Sequence, residues 1–154
     1  MGDYEDGVSE YRVEVLPWAE VDSGGIVYRE GPELATLPWS RVLHALAAYV
    51  GEPEGVCTIV FDLVVERKET ACLVRRFDAD PGEAAQTTAR ALLEGLGRTR
   101  CSRSLADLAA EGVPTRSYPD LDSLAEASLE ELGFRSGLMT SPLASGSLRG
   151  KEAL

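Results

Sequence analysis

The sequence predicts an α+β domain in which strands come first and helices follow, its strands paired antiparallel through hairpins. Three observations carry this expectation. Alternating or β-branched runs recur between Tyr11 and Phe77 with turn residues between them. A segment with helical periodicity begins at Asp80 behind a capping signal. Hydrophobic residues make up 44% of the 154 residues and charged ones 27%, close to the globular average and sufficient for one core.

Tyr11-Arg-Val-Glu-Val-Leu16 alternates apolar and charged residues, which is the pattern of a half-buried strand. Asp22-Ser-Gly-Gly25 supplies a turn before Ile26-Val-Tyr-Arg-Glu30, so these two strands are expected to form a first hairpin. Gly31-Pro32 ends the second strand, and Leu34 to Trp39 reads as a third that Pro38 closes or pushes to an edge. Residues 40 to 50 fit two structures. Apolar positions 42, 43, 46, 47 and 50 suit a helix capped by Ser40, whereas 42, 46, 48 and 50 suit a strand with His44 on the same face. Gly51 to Gly55 is a loop. Val56 to Val65 and Thr70 to Phe77 are β-rich runs joined by the polar Glu66-Arg-Lys-Glu69, forming a second hairpin.

Asp80-Pro81-Gly82-Glu83 is a helix start with Asp80 as cap, and the helix runs to about Leu93. Ala85, Ala89, Leu92, Leu93 and Leu96 share one stripe of it, which suits docking on a sheet. Ser104 to Glu111 is a short amphipathic helix stopped by Gly112. A second short helix, capped by Asp122, carries Leu121, Leu124, Ala125, Leu129 and Leu132 on one side and Glu126, Glu130 and Glu131 on another. These pieces are too short to stand alone and must pack on the domain or on a partner. The resulting organisation is an acidic N-terminal segment at 1–10, the main domain at 11–97, a helical acidic extension at 98–134 and a Ser/Gly-rich flexible tail at 135–154.

A formal charge of −11 disfavours nucleic acid and anionic lipid as partners, since both repel an acidic chain. No apolar run reaches the roughly 18–20 residues that span a bilayer, and the first ten residues are acidic rather than basic and greasy, so a cytoplasmic protein is expected. Cys57, Cys72 and Cys101 match neither a disulfide framework nor a zinc ribbon, so reduced structural thiols and no bound metal are expected. His44 is the one histidine and could pair with Cys57 as a nucleophile, but Cys57 falls in a strand that reads as buried and no third orienting group is evident. Asp62 interrupts an apolar strand and reads as its solvent-facing alternate. Phosphate-loop, dinucleotide and nucleophile-elbow motifs are absent.

Leu16-Pro-Trp-Ala-Glu-Val21 and Leu37-Pro-Trp-Ser-Arg-Val42 agree at four of six positions. Two copies make no solenoid; a repeated way of ending a strand, with Pro closing the ladder and Trp covering the sheet end, accounts for them. Strands leading to Leu37, Pro38, Trp39 and Val42, then a further segment, a strong hairpin and a helix from Pro81 to Gly95, resemble the bacterial pleckstrin-homology-like superfamily over roughly Tyr11 to Gly97. That resemblance implies a bent antiparallel sheet or roll of about six to seven strands capped by one C-terminal amphipathic helix, and a non-enzymatic platform that binds lipid headgroups, peptides or proteins without cofactor. The lipid branch uses basic residues at the first hairpin loop, whereas Asp22 to Gly25 has none.

Three groups are candidate sites. Arg67, Lys68, Arg75 and Arg76 form an anion or acidic-partner patch, or else a solvated face answering nearby acids. Leu121, Leu124, Leu129 and Leu132 form a helix face that docks in a partner groove or on the chain's own domain. Trp18 and Trp39 are candidate partner contacts. The function expected is a protein-protein interaction or assembly module, with a protein partner or a second copy of the chain, and the alternative is a small-ligand or lipid-headgroup binder.

Overall fold

The structure, a computed structural model, describes residues 9–51 and 57–134. The loop at 51–55 falls largely outside the described residues, as do the tail at 135–154 and most of the segment at 1–10. The described residues form an α+β fold of eight strands: β1 (Glu10–Val15), β2 (Ala19–Asp22), β3 (Gly25–Glu30), β4 (Glu33–Pro38), β5 (His44–Val50), β6 (Thr58–Arg67), β7 (Ala71–Ala79) and β8 (Ser117–Tyr118). Its helices are α1 (Glu83–Leu96), α2 (Arg103–Glu111) and α3 (Leu121–Glu131). The strands make a curled five-stranded sheet in the order β1-β7-β6-β5-β8 and a three-stranded sheet in the order β2-β3-β4. The chain divides into a larger unit, Val13–Glu66 with Leu73–Leu124, and a smaller one comprising Met1–Arg12, Arg67–Cys72 and Ala125–Leu154.

The first hairpin is not the expected one. The ladder of β1 stops at Leu16 and the chain bends at Pro17 and Trp18, where proline fixes φ, so Ala19 to Asp22 starts a separate strand that pairs with β3 from Ala19↔Tyr28 to Asp22↔Gly25. The Asp22 carboxylate accepts from the Gly24 and Gly25 N–H groups at 2.8 and 3.1 Å and fixes the turn. β1 instead joins β7. The Glu10 N–H donates to the Thr70 carbonyl and the Leu16 N–H to the Arg76 carbonyl, six residues further along both strands, which is the parallel sense. β8 also runs parallel to β5, so the larger sheet is mixed and not wholly antiparallel.

Residues 44–50 are strand. They pair antiparallel with β6 from His44↔Val64 to Val50↔Thr58. The alanines that favour a helix in isolation serve the sheet by being small: Ala45, Ala47 and Ala48 are all buried, and the Ala45 carbonyl accepts from the Ser102 N–H at 2.8 Å, which brings the start of α2 against the strand. Close tertiary packing overrides a propensity of tenths of a kcal/mol per residue.

The main core of the larger unit draws Leu16, Ile26, Leu37, Phe61, Leu92 and Leu105 from both sheets and two helices. Helix α1 contributes the stripe anticipated for it, with Ala85, Ala89, Leu92 and Leu96 buried and Leu93 packed at the margin. Burying each leucine contributes about 1.5–3 kcal/mol. Its start differs, because Gly82 at φ 145° breaks the helical path and α1 begins at Glu83 with no side-chain cap from Asp80. Helix α2, anticipated as part of an extension, buries Leu105 and Leu108 in this same core. Ser102 caps it by accepting from the Leu105 N–H, and Gly112 ends it in the left-handed region. In α3 the cap is Asp120 rather than Asp122; its carboxylate accepts from the Ser123 N–H at 2.8 Å, which lowers its pKa below the ordinary value.

Trp39 fastens the turn after β4. Its indole N–H donates to the Ser23 carbonyl at 3.0 Å, and its ring lies against Gly95, where any Cβ would enter the ring. Gly95→Ala is therefore expected to lower stability by about 1–3 kcal/mol through overpacking, although alanine adds about 1 kcal/mol of helix propensity. Urea denaturation checks this, and in a Trp39→Ala background the same substitution is expected to stabilise.

Candidate interaction surface

The residues singled out for anion binding are engaged within the chain. Successive residues of a strand face opposite sides, so Arg75 and Arg76 part company on β7. Arg75 meets Glu14 at 2.9 Å and lies over the Tyr28 ring at 5.1 Å, with its Nη1 buried and without a hydrogen-bond partner. Arg76 is buried and makes a two-pronged pair with Asp62, at 2.7 and 2.9 Å. This overturns the expectation for Asp62, which is 1% exposed and not a solvent-facing alternate. Arg67 stacks over the Phe134 ring at 4.4 Å. Lys68 sits in the β6–β7 turn, where its N–H donates to the Ala71 carbonyl at 2.8 Å.

The leucines of α3, with Leu132 just beyond its end, are unequally buried. Leu124 is buried against Ala48 and Val60, Leu121 is exposed, and Leu129 and Leu132 are half-buried. Leu124 therefore packs on the chain's own sheet. Nor does a nucleophile assemble: His44 lies opposite Val64 at one end of the β5–β6 ladder, whereas Cys57 precedes Thr58, opposite Val50, at the other. Six residues of strand separate them by roughly 20 Å. The Cys101 thiol is buried, which pushes its pKa up to about 11 against the opposing pull of the Arg100 charge. Among the described residues no group of three or more His, Cys, Asp or Glu could hold a metal ion, and no helix is long and apolar enough to cross a membrane.

The two tryptophans, equivalent in the sequence echo, do different work. Leu16 and Leu37 both enter the core, and Trp39 closes over α1. Trp18 stays 41% exposed. The register pairs Arg29 of β3 with Leu34 of β4, and Trp18, in the bend just before β2, lies beside Arg29, so that Trp18, Arg29 and Leu34 form a row along the outer face of the three-stranded sheet. The Arg29 guanidinium lies 5.9 Å from the Trp18 ring centroid, within cation–π range, and Leu34 is 60% exposed. The next outward row is Glu20, Val27 and Thr36. Beneath them Ile26, Tyr28 and Leu37 face the core. Leu34 and Arg29 escape a reading of the sequence as site residues because the row exists only once β2 is recognised as a strand.

No family model, curated protein or solved structure matches this chain.

Two outcomes follow from the buried groups. Asp62→Asn, which leaves the Arg76 charge uncompensated, is expected to cost about 3–5 kcal/mol by urea denaturation, while the double change Asp62→Leu/Arg76→Met recovers most of it. A Cys101 thiol that keeps its proton to about pH 11 when folded, against 9.0 for the ordinary thiol, makes stability fall as pH rises between those values, because the unfolded chain releases the proton first. Unfolding midpoints at pH 8 and pH 11 are expected to draw closer in Cys101→Ala than in the unaltered chain.

Proposed function

We propose that this chain is a non-enzymatic protein-interaction module in which a pleckstrin-homology-like platform presents the outer face of β2, β3 and β4 to a protein partner. The observation that carries the reading is the Trp18–Arg29–Leu34 row. An aromatic ring, a guanidinium and a branched aliphatic side chain lie side by side along one face of the sheet, and aromatic residues and arginine are the types that dominate interface energetics. The platform reading is supported by a hairpin, β6–β7, followed by a helix that buries its apolar stripe in a core shared by both sheets.

The alternative, a small-ligand or lipid-headgroup binder, has less support. Arg75 and Arg76 are held by Glu14 and Asp62, and a charge of −11 opposes an anionic surface. The same charge weakens self-assembly relative to a partner of opposite sign.

A Trp18→Ser/Leu34→Ser double variant tests the reading. Both side chains are exposed, so the melting temperature is expected to stay within about 3 °C. Capture of a protein partner from native lysate is expected with the unaltered chain and to fall at least tenfold with the variant. Equal capture by both would place the interaction elsewhere.

A further inference from the structure

We infer that the free edge of β4 takes an extended, lysine- or arginine-bearing polypeptide segment as an added strand, an inference that rests on the interaction reading above and names its partner chemistry. β4 is an end strand of its sheet, with no neighbour beyond it among the described residues. Glu30 and Glu33 close a two-residue hairpin over Gly31 and Pro32, with Gly31 at φ 62°. The closing pair of such a hairpin exchanges both hydrogen bonds, so Glu33, Ala35 and Leu37 turn their backbone groups toward β3. Leu34 and Thr36 turn theirs to the open edge. Pro38 falls on the same outward parity, where its missing N–H costs the sheet nothing.

Leu34 and Thr36 are also the β4 residues whose side chains lie on the outer face, since both alternations have a period of two. A strand added here would hydrogen-bond to Leu34 and Thr36 and extend the row begun by Trp18 and Arg29 with its own apolar side chain. This is the geometry of strand addition, in which the backbone supplies affinity and alternate side chains supply selectivity. Charge selects the occupant. Between Ala19 and Pro38 the sheet carries the acids Glu20, Asp22, Glu30 and Glu33 against one base, Arg29. A second copy of the chain would bring the same acids and another −11 charge to the edge, whereas a basic segment complements them.

The test uses the full chain labelled with ¹⁵N and two synthetic hexapeptides of alternating sequence, Lys-Val and Glu-Val. The Lys-Val peptide is expected to shift the Leu34 and Thr36 amides, to bind at least tenfold more tightly than the Glu-Val peptide, and to weaken with salt. Thr36→Pro removes one outward N–H while keeping the ladder to β3, and it is expected to weaken binding at least tenfold; a Lys-Val peptide N-methylated on alternate amides should do the same without touching the fold. Binding unaffected by both changes, equal binding of the two peptides, no binding of the Lys-Val peptide, or self-association through β4 in sedimentation would each overturn the inference. If Trp18→Ser weakens binding while Thr36→Pro does not, strand addition fails and the interaction face stands.

Discussion

Strand β6 is buried on both sides, and most of the structure answers to that constraint. From Ile59 to Val64 every side chain is out of water. Ile59, Phe61 and Leu63 supply one side to the main core, where Phe61 stacks on Phe77 with centroids 5.0 Å apart. The other side contains Asp62, and a carboxylate removed from water needs a charged, hydrogen-bonded partner. Arg76 is that partner. The two-pronged geometry uses the planar fork of arginine, which lysine would not reproduce.

The same constraint decides which charges remain for work outside. Arg76 is drawn in by Asp62, Arg75 is spent on Glu14 and Tyr28, and Arg100 donates to the carbonyls of Leu96, Trp39 and Val42, tying the turn after β4 to the end of α1. Basic residues that look like a patch along the chain are thus mostly internal fastenings. What the three-stranded sheet offers outward is different in kind: an acidic border, a Trp–Arg–Leu row and a short strand edge. Short length, Glu33 and Pro38 keep that edge from indiscriminate pairing, as natural edge strands require.

The fold class was legible wherever a local signal coincided with the tertiary need. The β6–β7 hairpin, the stripe of α1 and the Gly112 stop of α2 all reappear in the structure, and the alternation of β1 holds for Tyr11 and Val13 but fails at Val15, expected inward and 66% exposed. The misreadings have separate causes. Ala45, Ala47 and Ala48 carry helix propensity, but their smallness is what a closely covered strand needs. Asp80 and Pro81 spell a helix cap, yet Gly82 bends the backbone before the helix can begin. Asp62 alternates in sequence like a surface residue because periodicity reports the face of a strand and not whether that face is covered. The partner of β1 is sixty residues distant along the chain, beyond the reach of local pattern. Of the candidate surface, Trp18 was visible as a residue; its row with Arg29 and Leu34 was not, because cross-strand neighbours follow from register alone.

Strand addition at β4 requires that its edge be open in the free chain while the other side of the same strand is bonded. Amide hydrogen exchange of the unliganded protein, resolved by residue, tests this most directly. Leu34 and Thr36 should exchange at least a hundredfold faster than Ala35 and Leu37, whose N–H groups point to β3. Equal protection of all four amides would mean that the edge is already covered, which rules out strand addition there.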